Sequence, residues 1–364
     1  METSDYKVFI ILGTRPEAIK LYPLIAEFLN AEVSHKVIST GQQMELLDNT
    51  LKSLGIAIDF NLDLMQENQS PTAFLLRALS SLQQLITEDW PDFIVVQGDT
   101  LSAYAGALIG YLNRIPVGHV EAGLRSGNIL APWPEEGLRK MIDQISTILW
   151  VPTQSEHVPT DSSQRSVVTG NTVIDTLRIF GNLVPHSVES NEGSILVTLH
   201  RRESFGQTIE NAMQKIIELS DLVDNEIKFI MHPNPNIRDA AKAVGLHDSN
   251  VKVIPPLEYL EFIKELQKSA LLITDSGGLQ EEAGTLGVPM IILRENTERN
   301  QILKSGNAVL SDPNGLDVIK QALDFLSMNP RLKAQTNDIY GDGFASERIY
   351  QSIREFLRKS GTTN

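Results

Sequence analysis

The apolar run Leu271-Leu272-Ile273-Thr274 leads into Asp275-Ser276-Gly277-Gly278-Leu279-Gln280-Glu281-Glu282. Residue types in this order suit a strand that ends in a loop and opens a helix. Two glycines let a ligand come close to the backbone, and the amide N–H groups at a helix start attract an anion. Glu282 falls about one turn into that helix, where a carboxylate can accept hydrogen bonds from ribose hydroxyls, as acidic residues do in dinucleotide folds. Recognition of a nucleoside diphosphate is the chemistry that fits. An ordinary tight turn before a helix is the structural alternative.

Other polar residues also follow apolar runs. Arg15 comes after Val8 to Leu12, Asp99 after Phe93 to Val96, and Glu121 after Pro116 to Val120. His200 comes after Ile195 to Thr198, His232 after Lys228 to Met231, and Arg294 after Pro289 to Leu293. In open parallel sheets, ligands bind beyond the carboxyl ends of the strands. Singly, each has a structural explanation: Asp99 as a helix cap, Glu121 as a partner of Arg125, His200 as a satisfied core histidine. Their accumulation at strand ends predicts a site. A further segment, Pro132-Trp133-Pro134-Glu135-Glu136, predicts an extended approach to a helix starting near Glu135. Glu135 and Arg139 stand four apart and can pair on one helix face. An acidic first turn favoured by the helix dipole is the plainer reading.

The elements that must position these groups alternate along the chain. Leu21, Leu24, Ile25, Phe28 and Leu29 recur at helical spacing, with Pro16 or Pro23 near the helix start. Strands alternating with helices predict an α/β protein with parallel, doubly wound sheets. One sheet holding every run would be very large. The expectation is therefore two Rossmann-like domains with a cleft between them: residues 1–168, and residues 169–345 beyond the Ser- and Gln-containing stretch near Ser162 to Gln164. Ile349, Ile353, Phe356 and Leu357 form an amphipathic final helix, about 346–364, expected to pack back on the first domain.

The 364 residues suit two ordinary domains. No apolar run approaches the roughly 20 residues of a membrane span, and Met1 to Tyr6 lacks the features of a signal peptide. The absence of cysteine excludes disulfides, thiolate catalysis and cysteine metal sites. These features predict a cytoplasmic protein. With 31 basic and 46 acidic residues, the net charge of −15 argues against nucleic acid as a partner. An anionic small substrate must then be held by a local cluster of Arg, Lys and His.

Read in order, the segments resemble the non-hydrolysing UDP-N-acetylglucosamine 2-epimerases. The matching motifs are Gly13-Thr-Arg-Pro-Glu-Ala-Ile-Lys20, Thr40-Gly-Gln42, Gly98-Asp-Thr100, Val117-Gly-His-Val-Glu-Ala-Gly-Leu-Arg125 and Pro132-Trp-Pro-Glu-Glu136. They continue with Thr169-Gly-Asn-Thr-Val-Ile-Asp175, His200-Arg-Arg-Glu-Ser-Phe-Gly206, Thr274 to Glu282, Thr297-Glu-Arg299 and Tyr340-Gly-Asp-Gly343. The resemblance implies a GT-B-like fold with UDP bound mainly by the second domain. It implies reversible conversion of UDP-N-acetylglucosamine to UDP-N-acetylmannosamine by elimination of UDP to a 2-acetamidoglucal and its re-addition, supplying surface polysaccharide synthesis. No metal or redox cofactor is implied, and a homodimer is. Asp99, Glu121 and Glu135 match the acidic catalytic positions, with His200 beside them. Lys20 and Arg139 orient or charge-balance the carboxylates. Arg15, His200, Arg299 and the Ser276, Gly277 and Gly278 loop hold the departing diphosphate, and Glu282 holds the ribose.

Several positions depart from the family pattern. Gln43 and Met44 replace the usual His-Arg, Gln97 replaces His, Leu199 replaces Gly, and Leu138 replaces Asn. In bacterial members the segment after Thr-Gly-Gln helps bind a second, activating UDP-N-acetylglucosamine. Gln42, Gln43, Glu45, Arg201 and His232 are the residues here that would form such an allosteric site. The lost donors each cost roughly 1.5–3 kcal/mol of binding to a charged ligand. Leu199 and Leu138 leave an alternative open: an epimerase or hydrolysing epimerase acting on a related UDP-2-acetamido sugar.

Overall fold

The computed structural model describes residues 6–42, 44–66, 69–158, 160–180, 193–201, 204–328 and 339–361. The chain divides into two compact units: Met1–Phe180 with Tyr340–Asn364, and Gly181–Ile339.

In the first unit the strands are β1 (Lys7–Leu12), β2 (Ser34–Ser39), β3 (Phe60–Asn61), β4 (Phe93–Gln97), β5 (Val117–Val120), β6 (Ile148–Val151) and β7 (Arg165–Val168). They form one sheet in the order β3-β2-β1-β4-β5-β6-β7, parallel at every pairing. The helices are α1 (Arg15–Asn30), α2 (Met44–Leu54), α3 (Pro71–Glu88), α4 (Leu101–Leu112), α5 (Glu135–Ile145) and α6 (Thr172–Ile179). The central strands read as unbroken apolar runs because helices cover both faces of a parallel sheet. Phe9, Ile10 and Ile11 on β1 and Ile94, Val95 and Val96 on β4 are all buried. Pro16 lies in the first turn of α1, where its missing N–H costs nothing. Ala18, Leu21, Leu24, Ile25 and Phe28 then turn inward, each large side chain contributing about 1.5–3 kcal/mol on full burial.

The second unit holds β8 (Ser194–Thr198), β9 (Ile227–Ile230), β10 (Lys252–Ile254), β11 (Ser269–Thr274), β12 (Met290–Leu293) and β13 (Ala308–Ser311). Their order is β10-β9-β8-β11-β12-β13, again parallel throughout. The helices here are α7 (Gln207–Ser220), α8 (Pro235–Ala243), α9 (Tyr259–Lys268), α10 (Leu279–Thr285), α11 (Asn300–Lys304) and α12 (Val318–Met328). Both units are Rossmann-like. Each strand order reverses at one point, between β1 and β4 and between β8 and β11, where open α/β sheets form their binding crevices.

The division falls after Phe180 and not at residue 169. The stretch around Ser162 is only the turn before β7, and α6 stays with the first unit. Val173, Ile174 and Leu177 are buried, and the Thr176 hydroxyl donates to the Ile19 carbonyl of α1 at 2.8 Å. The chain returns at Tyr340, whose carbonyl accepts the Asn171 N–H at 2.7 Å. The Asp175 carboxylate then caps α13 (Ala345–Gly361), accepting the Ala345 and Ser346 N–H groups at 3.1 and 2.7 Å. Ile349 and Ile353 of α13 are fully buried, and Phe356 meets Phe93 edge to face at 5.9 Å. Among the described residues, no helix is long and apolar enough to cross a membrane.

Candidate active site

At the reversal point of the first unit, α1 begins two residues beyond β1 and presents Arg15, Glu17 and Lys20. Arg15 is half-buried, whereas Glu17 and Lys20 are buried. The Lys20 ammonium pairs with the Glu121 carboxylate just past β5. The side-chain amides of Gln97 and Asn171 donate to the same carboxylate oxygen, each at 3.2 Å. Glu121 sits at φ +64°, a left-handed conformation that costs a non-glycine residue on the order of 1 kcal/mol and tends to occur at functional sites.

Asp99 follows β4 and meets the Arg139 guanidinium from α5. Arg139 also lies 3.5 Å from the buried Glu136, so the cation expected for Glu135 has other carboxylates beside it. Glu135 opens α5 and is half-buried. Two structural explanations fail here. Arg125 pairs with Asp143 and not with Glu121, and α4 is capped by the Thr100 hydroxyl, which accepts the Ala103 N–H at 3.0 Å, and not by Asp99.

Sequence reasoning missed three members of this group. Glu17 accepts the Gly13 N–H at 2.9 Å and the Thr100 hydroxyl at 2.6 Å. Burial pushes its carboxyl up to about 7 despite those hydrogen bonds. Gln97 and Asn171 are the other two. All three lie in or beside the motifs quoted above. Gln97, which departs from the usual His, still supplies an N–H to Glu121. Gln42 is occupied within the unit, accepting the Ser102 N–H at 3.3 Å and its hydroxyl at 2.7 Å. Gln43 and the side chain of Glu45 lie outside the described residues.

The second unit builds a different group at its own reversal point. The His200 and Arg201 N–H groups both donate to the Asp275 carboxylate at 2.9 Å, tying the loop after β8 to the loop after β11. His200 is no core residue: its side chain is 37% exposed. Its ring stacks on His232 at 5.4 Å. Burial, with the neighbouring His200, lowers His232 to about 4.

The Ser276 N–H donates to the Thr274 hydroxyl at 3.0 Å. Helix α10 starts only at Leu279, so the helix begins later than the motif suggests. Glu282 is buried at the fourth position of α10. A Cβ on Gly277 would stand 2.7 Å from a Glu298 carboxylate oxygen and 2.8 Å from an Arg299 guanidinium nitrogen. A side chain there would have to push these two groups aside. Among the described residues, and apart from its chain neighbours, no atom lies within 4 Å of a Cβ built on Gly278.

Around this loop, Arg299 bonds Glu281 at 2.7 Å and pairs with Glu298, and Arg294 lies 3.0 Å from Glu298. Burial alone would raise the Glu298 carboxyl, but Arg299, Arg294 and Arg201 hold it well below the usual glutamate range. Glu281 and Glu298 went unassigned in the sequence. Leu199 packs into the second unit's core with Ile195, Val197, Met213 and Phe229. Leu138 is buried on α5.

A family model for UDP-N-acetylglucosamine 2-epimerase matches residues 28–354. The chain belongs to this family. Its members are isomerases, and the two Rossmann-like units of this epimerase-family chain have the GT-B arrangement of strands and helices. The UDP-N-acetylglucosamine 2-epimerase of Salmonella typhimurium is 35% identical over 374 residues, covering 96% of this chain and 99% of its own. The Neisseria meningitidis UDP-GlcNAc 2-epimerase, solved bound to UDP-GlcNAc, superposes with a TM-score of 0.87 at 34% identity, covering 96% of this chain and 100% of its own. The Methanocaldococcus jannaschii UDP-GlcNAc 2-epimerase, solved with UDP-GlcNAc and UDP, gives 0.83 at 31% identity, covering 96% and 99%.

Proposed function

We propose that this chain interconverts UDP-N-acetylglucosamine and UDP-N-acetylmannosamine reversibly, with no metal or redox cofactor. A carboxylate takes the C2 proton, the C–H electron pair forms a C1=C2 double bond, and the C1–O bond to the β-phosphate breaks. UDP and a 2-acetamidoglucal result. Re-addition of the UDP oxygen to C1, with protonation of C2 from the opposite face, gives the epimer. The observation that carries this reading is the pairing of carboxylates with cations at neighbouring strand ends, Glu121 with Lys20 and Asp99 with Arg139. These pairs place carboxylates where a proton must leave and return. Glu135 is the third carboxylate, and Asp99, Glu121 and Glu135 share the work of removing and returning the proton.

The C2 proton is only weakly acidic, so the leaving group must be stabilised as it departs. His200, Arg15, Arg299 and the Ser276, Gly277 and Gly278 loop serve the diphosphate, and Glu282 serves the ribose. Arg201 and His232, with Gln42, Gln43 and Glu45, are the residues that would take a second nucleotide sugar. The chain works as a homodimer in the cytoplasm, and its product feeds surface polysaccharide synthesis. A monomeric mass by light scattering at micromolar protein refutes the dimer.

Proton NMR of the protein with UDP-N-acetylglucosamine in deuterated water tests the reaction. The expected result is UDP-N-acetylmannosamine with deuterium at C2 of both sugars. Free N-acetylmannosamine with UDP means hydrolysis instead. Neither exchange nor product overturns the reading.

A further inference from the structure

His119, on β5 two residues before Glu121, is fully buried, as is Asp143 on α5. Its Nε2 lies 2.7 Å from the carbonyl oxygen of Gly98. A carbonyl oxygen only accepts, so Nε2 carries a proton and donates it. Its Nδ1 lies 2.7 Å from Asp143 Oδ1. The other oxygen of Asp143 accepts the Gly123 N–H at 3.3 Å and pairs with Arg125. Burial alone would raise the Asp143 carboxyl, but His119 and Arg125 hold it below the usual aspartate range. Asp143 and the Gly98 carbonyl thus hold the ring by its two nitrogens.

The partners of this pair are the informative part. Gly98 precedes Asp99 and holds φ +75°, so its carbonyl direction sets how the Asp99 turn leaves β4. Gly123 and Arg125 belong to the loop that Glu121 opens. Asp143 rides on the helix that starts at Glu135 and carries Arg139. One buried ring and one buried carboxylate therefore touch the three segments that present Asp99, Glu121 and Glu135.

We infer that His119 and Asp143 form a buried hydrogen-bonded pair that positions the three carboxylates relative to one another. The inference rests on the proposed epimerisation for its catalytic consequence, and on geometry alone for the pair. His119 and Asp143 are positioning residues: both are fully buried and act through the segments they bond. A misplacement of about 1 Å in a reacting group costs roughly 100-fold in rate.

Two amide replacements separate the ring's two contacts. The Asn amide nitrogen falls near the place of Nδ1 and the Gln amide nitrogen near that of Nε2. His119→Asn keeps the Asp143 contact and loses Gly98, whereas His119→Gln keeps Gly98. The expected result is a kcat roughly 10–100-fold lower in both variants, with KM and UDP affinity unchanged. Wild-type kcat in either variant, or a loss confined to KM, overturns the positioning role.

Nitrogen-15 NMR of histidine-labelled wild-type protein near neutral pH tests the pair without any substitution. An exchange-protected ring N–H signal from His119 supports it, and ring N–H exchange as fast as that of a solvent-exposed histidine overturns it. If the wild-type protein shows no C2 exchange, the epimerase reading fails, and the NMR still decides the pair.

Discussion

The two units reverse strand order in the same way yet surround the reversal with opposite chemistry. In the first, the carboxylates Glu17, Asp99 and Glu121 stand with Lys20 and Arg139. In the second, Arg201, Arg294 and Arg299 surround Glu281 and Glu298 beneath a glycine loop. In the proposed reaction, the first group handles the proton and the second the diphosphate. Sheet topology alone supplies a place for a site, and the residues at the strand ends decide what it does.

Substitutions that act on only one end sharpen this contrast. The largest expected effect is that of Glu121→Gln, which keeps the shape but removes the carboxylate that pairs with Lys20. The rate of C2 exchange should fall roughly 10²–10⁴-fold while UDP affinity by calorimetry holds. Comparable loss of UDP affinity would break the division of labour.

Glu17 gives the next largest effect, on stability. Its folded value, raised from 4.5 to about 7, means the folded state holds the proton more tightly than the unfolded chain. Its contribution to stability is complete below the unfolded value and is lost as pH rises through about 7. The full loss is about 3 kcal/mol. Glu17→Gln does not titrate, so it should gain by about that amount relative to wild type between pH ~4 and pH ~8. Urea unfolding at the two pH values checks this, and parallel wild-type and variant curves would sink it.

The smallest effect belongs to Gly277→Ala. Its Cβ would press on Glu298 and Arg299, and UDP binding should weaken on the order of tenfold or more, typical of overpacking by 1–3 kcal/mol. C2 exchange at saturating sugar should change less. Unaltered UDP affinity would mean that this loop does not touch the nucleotide.

Much of the fold was legible because a buried parallel strand must be apolar along its whole length. Val8 to Leu12 and Leu271 to Thr274 announce themselves in that way. The domain boundary was not. Ser162 to Gln164 looks like a linker, but linker composition and an exposed turn share the same residues. What keeps α6 in the first unit is a set of distant contacts, Thr176 with Ile19 and Asp175 with α13. Site membership followed the same pattern. Asp99, Glu121, Lys20 and Arg139 were named from motif positions, but their pairing was open. Glu121 with Arg125 is the local choice, but Arg125 pairs with Asp143 and Glu121 with Lys20, while Arg139 meets Asp99 from 40 positions away.

The sequence by itself determined the alternation of strands and helices, the glycine loop and the residue types at each strand end. Those follow from periodicity, backbone freedom and side-chain chemistry, which act over a few residues. The tertiary structure alone decided which charges meet. Lys20 reaches Glu121 across 101 positions of sequence, and His119 links Gly98 to Asp143. A charge buried by folding must take whatever partner the packed chain brings within reach, and sequence distance places no limit on that choice.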